Sequence, residues 1–247
     1  MASGGPAMIR IGTAGWAVPR QYADGFPDSG SILERYATTL MATEINSTFY
    51  RSHKPETYAR WASAVPDGFR FAAKLPKAIT HERRLVDSGA LLRAFLDEVS
   101  LLGAKLGPLL IQLPPSFRFD PTNAEAFLAQ LRSLTDHAAA CEPRHPSWFG
   151  SEAGNLLTRY RVSRVAADPA RVPDAALPGG WPDLAYHRLH GSPRMYYSEY
   201  DETFLSGLAA RIESSQALET WCIFDNTTSG AAAGNALTLS KRFVASV

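Results

Sequence analysis

The sequence predicts a single-domain (β/α)8 barrel, and three observations carry that prediction. Short β-type runs alternate with longer amphipathic runs along the whole chain, the pattern of a parallel sheet covered by helices. Eight such units in 247 residues give about 31 residues each, matching the ~250-residue length usual for this barrel. Nearly every β-type run also ends in polar or charged residues toward its C-terminal end, the face on which such barrels build their sites.

In order, the β-type runs are MIRIGTAG from Met8, ATEINSTF from Ala42, FRFAAKLP from Phe69, GPLLIQLP from Gly107 and HAAACEPR from His137. SRVAAD from Ser163, DLAYHRLHG from Asp183 and TWCIFDN from Thr220 complete the eight. Each is short, rich in Val, Ile, Leu or Phe, and bounded by Gly, Pro or Asp. The helical runs are SILERYATTLMA from Ser31, ALLRAFLDEVSLLGA from Ala90, NAEAFLAQLRSL from Asn123, FLSGLAARIESS from Phe204 and GAAAGNALTLSKRF at the end. Their apolar residues recur at helical spacing, as in Leu91, Leu92, Phe95, Val99 and Leu102, which puts one face on the sheet. Pro55 and Asp120-Pro121 read as helix starts, because proline suits a first turn. The Pro-rich segment from Ala167 to Trp181 reads as an irregular crossover. A doubly wound open sheet is the competing fold, but the first turn, GTAGW, is not GxGxxG. Residues 1–7 read as an N-terminal extension and 8–247 as one domain.

The 25 Lys+Arg against 24 Asp+Glu leave a net charge of +1. That gives no global electrostatic case for a nucleic-acid or membrane-surface protein. No stretch approaches the ~18 apolar residues of a membrane span, and the start lacks the apolar core of a signal peptide. Cys141 and Cys222 sit in apolar runs and read as core thiols. The expectation is a soluble cytoplasmic protein.

The informative charges lie at the strand ends. The second run gives Glu44, Asn46 and Thr48, alternating and so sharing a face. The third gives Lys74, the fourth Gln112, the fifth Glu142 and Arg144 followed by His145, and the sixth Asp168. The seventh gives Arg188 and His190, and the eighth adjacent Asp225 and Asn226, of which one points inward. A purely structural reading is a buried ion-pair network closing the barrel, with Glu44, Glu142, Asp168 and Asp225 facing Lys74, Arg144 and Arg188. It explains one or two pairs. It does not readily explain so many polar groups at one end, because buried pairs barely repay their desolvation. A pocket is the stronger reading.

Several strings in a fixed order then resemble a known family. They are GTAGW at Gly12–Trp16, EINSTFYR at Glu44–Arg51, FRFAAKLPKAITH ending at His81, GPLLIQLPPSF ending at Phe117, EPRHPSW at Glu142–Trp148, RLHG at Arg188–Gly191 and FDNTTSGAAAGNA ending at Ala236. Together they resemble the YecE-like family, domain of unknown function 72, from about Met8 to Phe243. The resemblance implies a TIM-type barrel with these motifs at its C-terminal mouth and supplies no reaction. Asp225 stands where Asn is common, which bears on any role that needs a neutral amide there.

The residue types point to binding or transforming a small anionic or sugar-like ligand. Lys74, Arg144 and Arg188 would hold a phosphate or carboxylate. Glu44 and Glu142 are the candidate general acid and base, His190 the proton shuttle, with Asp168 and Asp225 as further catalytic candidates. Asn46, Gln112 and Asn226 are candidate ligand contacts. Trp16, Tyr50, Trp148 and Tyr197 are rings that could stack on a ligand, although packing is the commoner use of each. As an enzyme it would be a hydrolase, lyase or isomerase; the sequence names no cofactor. One alternative is a metal-dependent barrel of the sugar isomerase or endonuclease IV kind, using Glu44, Glu142, Asp168, His190 and Asp225 with Mn, Mg or Zn. Another is a nucleic-acid-binding module, from the basic loop Lys77, His81, Arg83 and Arg84, which Glu82 and Asp87 also balance. The loop Arg194–Asp201 reads as a lid or a surface turn. No GxSxG, P-loop or dinucleotide fingerprint occurs.

Overall fold

A computed structural model describes residues 8–244, so the extension expected at residues 1–7 lies outside the described residues. The strands are β1 (Met8–Ala14), β2 (Ala42–Ile45), β3 (Arg70–Lys74), β4 (Leu106–Gln112), β5 (Ala139–Glu142), β6 (Val162–Arg164), β7 (Ala166–Asp168), β8 (Gly179–Gly180), β9 (Leu184–Leu189) and β10 (Glu219–Phe224). The helices are α1 (Ile32–Thr39), α2 (Pro55–Ser63), α3 (Gly89–Val99), α4 (Pro121–Leu134), α5 (Ser151–Arg159), α6 (Glu202–Glu213) and α7 (Ala231–Val244).

The strands form one sheet in the order β7-β9-β10-β1-β2-β3-β4-β5-β6-β8. All pairings are parallel except the two-residue contact of β6 with β8. The two ends meet in the chain: β6 pairs with β5 while β7, one residue further on, pairs with β9. A single kinked strand therefore joins the edges, and the sheet is a TIM-like barrel wrapped by helices. The unbroken strand expected at SRVAAD is two short ones, split at Val165. That residue still bonds back to the β5 side, its N–H reaching the Cys141 carbonyl at 2.8 Å, and its side chain joins the barrel interior.

Other differences lie at element ends. The run ATEINSTF stays extended only to Ile45 and then turns through a 3-10 segment at Ser47–Phe49. Thr48 consequently leaves the Glu44 face, and its hydroxyl donates to the Lys74 carbonyl at 2.7 Å. SILERYATTLMA is helical only to Thr39. The run after Ala90 gives up its α-helix at Val99 and continues as 3-10 turns to Lys105, with Gly103 at φ +54° breaking it. Helix α5 was not anticipated; its buried stripe is only Ala153, Leu156 and Leu157, too brief to show a period. The start signals hold. The Ser31 hydroxyl and the Glu34 carboxylate form a capping box on α1, Pro55 opens α2, and Asp120 accepts from the Asn123 N–H at 2.9 Å on α4. The segment between β7 and β9 is irregular, with a short 3-10 turn at Pro173–Ala176.

The parallel strands alternate between two apolar layers. Outward residues such as Ile45, Phe71, Leu109, Cys141 and Phe224 pack under the helices. Inward residues fill the barrel: Ala42, Ala72, Leu110 and Ala140 on one side, Tyr186, Trp221 and Ile223 on the other. Small side chains thus face large ones, which fills the interior at close-packed density. Gly107 is part of this fit, since a Cβ there would sit 2.6 Å from the Trp221 ring. Tyr186 stacks on Trp221 with centroids 6.0 Å apart and planes 3° off parallel. Above this floor the next inward positions are Glu44, Lys74, Gln112, Glu142, Arg188 and, one residue past β10, Asp225. Cys141 and Cys222 are free and buried. Among the described residues no helix is long and apolar enough to cross a membrane.

Candidate functional site

The centre of the C-terminal end is Arg188, fully buried and held by three carboxylates. Its Nε and Nη2 donate to Glu44 Oε2 and Oε1 at 3.0 and 2.6 Å. Its Nη1 donates to Glu142 Oε2 at 2.6 Å, and its Nη2 also reaches Asp225 Oδ2 at 3.1 Å. Strands β2, β5, β9 and β10 are thereby tied across the barrel axis. Tyr186, one turn of the pleat below Arg188, donates its hydroxyl to Glu44 Oε2 at 3.0 Å.

His190 bridges two of the same acids, with Nε2 3.1 Å from Glu142 Oε1 and Nδ1 3.0 Å from Asp225 Oδ2. Burial alone would disfavour its charge, but Glu142 and the Asp225 hydrogen bond outweigh burial and raise its pKa above 6.5. The carboxylates respond oppositely. Burial would push Glu142 up, yet the charges of Arg188, His190 and Arg144 hold it well below the usual range. Asp225 is likewise lowered, by Arg188 and His190 against burial. Each shift favours the charged form, Glu142 and Asp225 as carboxylates and His190 as an imidazolium with one ring nitrogen facing each acid.

A second set of groups lies toward the opening with fewer partners. Arg144 donates from Nε to Glu142 Oε1 at 2.9 Å, while its Nη2 is buried with no hydrogen-bond partner among the described residues. Lys74 is buried, and its Nζ lies 4.1 Å from the Phe49 ring centroid. No carboxylate lies within ion-pair distance of it among the described residues. Burial, then the neighbouring Arg188 charge, bring its pKa down to about 8, with Glu44, Glu142 and Asp225 opposing. His81 packs edge-on against Phe49 at 4.9 Å and is lowered by burial and by the charges of Lys74 and Arg144. Gln112 is buried opposite Glu142 in the β4–β5 register. The Asn46 Oδ1, just past β2, is buried without a hydrogen-bond partner among the described residues.

Five of the residues proposed from sequence sit elsewhere. Asp168 faces away from the acid cluster, where its Oδ1 accepts from the Tyr200 hydroxyl at 2.8 Å. Asn226 donates to the Ser198 carbonyl and to Asn235 Oδ1, both at 2.9 Å, so of the adjacent pair it is Asp225 that points inward. Trp148 is buried, its indole N–H donating to the Phe117 carbonyl at 3.0 Å. Trp16 packs edge-on against Trp61 at 5.0 Å and is half-buried. Tyr50 is 71% exposed and, with Phe49, Lys77, Leu91 and Phe95, lines a neighbouring cavity of about 250 Å³.

Asp168 and Asn226 instead anchor the loop after β9. Tyr200 OH, bonded to Asp168, also accepts the Gly191 N–H at 2.8 Å. Gly191 turns the chain at φ +92°, a left-handed conformation that only glycine adopts cheaply. Tyr196 then takes φ +68° and lays its ring edge-on to His190 at 5.8 Å; its hydroxyl also faces Arg144. The loop is thus a cover, and Tyr196 is its inward ring. Sequence reasoning chose Tyr197, whose ring is instead stacked under the Arg194 guanidinium at 3.8 Å. Tyr186 was missed too, although the alternation that flagged Arg188 and His190 includes it.

The two alternative readings meet specific obstacles. Both oxygens of Glu44 and of Glu142 and one of Asp225 already face Arg188, Arg144 or His190, and among the described residues no three His, Cys, Asp or Glu side chains are placed to hold an ion. In the basic loop, Lys77 pairs with Glu82 at 3.2 Å, Arg83 donates to the Asp87 carbonyl and Arg84 to Ser116 Oγ.

The profile of a family described as "Protein of unknown function DUF72" matches residues 10–246. The UPF0759 protein YecE of Escherichia coli is 34% identical over 171 residues, 67% of this chain and 61% of that protein, so the match spans about three fifths of the curated relative's length. A crystal structure of a DUF72 family protein from Enterococcus faecalis superposes at TM-score 0.79 with 25% identity, covering 95% of this chain and 94% of that one. A DUF72 protein from Thermotoga maritima superposes at 0.78 with 25% identity, covering 96% and 99%. A chitinase from Pseudoalteromonas aurantia shares the fold alone, at TM-score 0.54 and 10% identity.

Proposed function

The chain belongs to the family of proteins of unknown function DUF72, and on that premise we propose that its barrel mouth binds a small anionic or sugar-like ligand and acts on it by acid–base chemistry. The observation that carries the reading is an imbalance between two layers. In the lower layer every Arg188 nitrogen is bonded to a carboxylate. In the upper layer, among the described residues, the Arg144 Nη2 is buried with no hydrogen-bond partner and Lys74 has a ring but no counter-ion. A buried donor without an acceptor is costly, and a phosphate or carboxylate entering from the mouth would satisfy both groups.

The roles then follow from charge. Arg144 and Lys74 hold the anion, with Gln112 and Asn46 offering neutral polar contacts. The surroundings favour the charged forms of Glu142, Asp225 and His190; the carboxylates are assigned the part of proton acceptor and His190 that of donor. Arg188 fixes the carboxylates in position, so it orients rather than binds. Tyr196 excludes water from above. The free buried thiols fit a reducing, cytoplasmic setting.

Titration calorimetry with inorganic phosphate and with small carboxylates tests the reading. Saturable binding is expected in the wild type and strongly weakened binding in Arg144→Gln. Unchanged binding in that variant, in a folded protein, would overturn it.

A further inference from the structure

Lys74 is singular among the lysines of this chain. There are five, Lys54, Lys74, Lys77, Lys105 and Lys241. Lys77 and Lys105 make ion pairs with Glu82 and Asp67, and Lys54 and Lys241 are exposed. Lys74 alone is buried, at the end of an inward-facing strand position, with its Nζ over the face of Phe49 and no carboxylate at ion-pair distance among the described residues. The cations Arg188 and Arg144 lie in the same mouth. A desolvated amine with another cation beside it is the arrangement that makes lysine a nucleophile, although Glu44, Glu142 and Asp225 oppose the effect here.

We propose that Lys74 forms an imine with the carbonyl carbon of a small oxo-acid whose carboxylate is held by Arg144. The proposal rests on the mouth being the ligand site and names its substrate class. The neutral Nζ lone pair forms the C–N bond. The carbonyl oxygen takes one proton from the amine and one from an acid of the site, leaves as water, and the protonated imine remains. Its positive charge stands where the ammonium stood, over Phe49 and in the field of Glu44, Glu142 and Asp225, so the site that holds one cation holds the other. His190, whose charged form Glu142 and Asp225 favour, is the acid assigned to supply the second proton. The ring of Phe49 favours the charged amine as well, but a single ring replaces only part of the lost hydration. The lowered pKa of about 8 agrees with that balance.

The experiment is reductive trapping: the full chain is incubated at pH 7.5 with glyoxylate and cyanoborohydride, and each lysine's alkylation is followed by peptide mass spectrometry. Lys74 should be modified at least about tenfold faster than Lys54, Lys77, Lys105 and Lys241, because far more of it is neutral at that pH. The neutral aldehyde acetaldehyde should show a smaller preference for Lys74, and Arg144→Gln should remove the difference between the two probes. Lys74→Arg, checked for folding by circular dichroism, should lose the fast site. Lys74 reacting no faster than the surface lysines overturns the proposal, and does so even if phosphate binding is intact, which would leave the anion-binding reading standing. Fast trapping at Lys74 with no measurable phosphate binding supports imine formation and removes the phosphate form of the ligand.

Discussion

Arg188 on β9 and Glu44 on β2 form a two-pronged ion pair, at 2.6 and 3.0 Å, in which neither side chain has any exposed surface. The two strands stand apart in the sheet, with β10 and β1 between them, so the pair spans the barrel interior rather than a strand edge. Replacing Arg188 by Met removes a buried cation bonded to three carboxylates. Unfolding free energy at pH 7 should fall by ~3–5 kcal/mol, the usual cost of stranding buried charge. Urea denaturation measures it; a loss under about 1 kcal/mol would mean the acids find other partners.

The pH dependence of stability has two arms of opposite sign. Glu142 and Asp225 have pKa values lowered in the fold from 4.5 and 3.8. Their contribution is complete above those unfolded values and is lost as pH falls through the lower folded ones. His190 is raised from 6.5, so its contribution is complete below 6.5 and is lost as pH rises through the higher folded value. Stability should therefore decline on both sides. In His190→Gln the alkaline decline should disappear, with the acid arm retained, when unfolding is followed from about pH 2 to pH 9.

Arg144→Gln separates binding from folding. The side chain is half-buried and contributes one charged hydrogen bond to the protein, so its loss should lower stability by only about 1–2 kcal/mol. Phosphate affinity should fall by about tenfold or more, since a charged hydrogen bond to a ligand is worth about 1.5–3 kcal/mol.

Tyr200→Phe tests the cover. The variant removes the hydroxyl that joins Asp168 to the Gly191 N–H. Amide exchange in residues 191–201 should speed up by about tenfold, the effect of one or two lost hydrogen bonds, while exchange in β2 and β3 stays unchanged. Equal acceleration throughout the barrel would mean Tyr200 serves global stability instead.

Gly107→Ala tests the interior fit. The added methyl would meet the Trp221 ring at 2.6 Å, and overpacking of this sort costs about 1–3 kcal/mol. A thermal midpoint unchanged from wild type would show that the indole moves aside freely.

The barrel was legible because its signals are periodic: strand residues alternate, helix residues repeat, and the polar positions Glu44, Glu142, Arg188 and Asp225 fall where those periods run out. Their partners were not legible. Nothing local in the sequence says that Arg188 reaches three acids from three other strands, or that Asp225 rather than Asn226 turns inward; those depend on closure of the ring. Asp168 misled because it was chosen by its place at the strand end alone: Val165 faces the interior, so alternation puts Asp168, three residues on, on the other face. Tyr196 could not be told from Tyr197 because a loop residue at φ +68° has no periodic signature.

The kink at Val165 also gives the ring a split. Each half of that strand, three residues long, finds a parallel neighbour on one side, β6 on β5 and β7 on β9, whereas the intact strands are gripped from both. The circumference of the barrel is therefore set least firmly at this joint. The joint carries Asp168, whose bond to Tyr200 fastens the cover over His190. The strand that closes the ring is thus also the strand that fastens the cover.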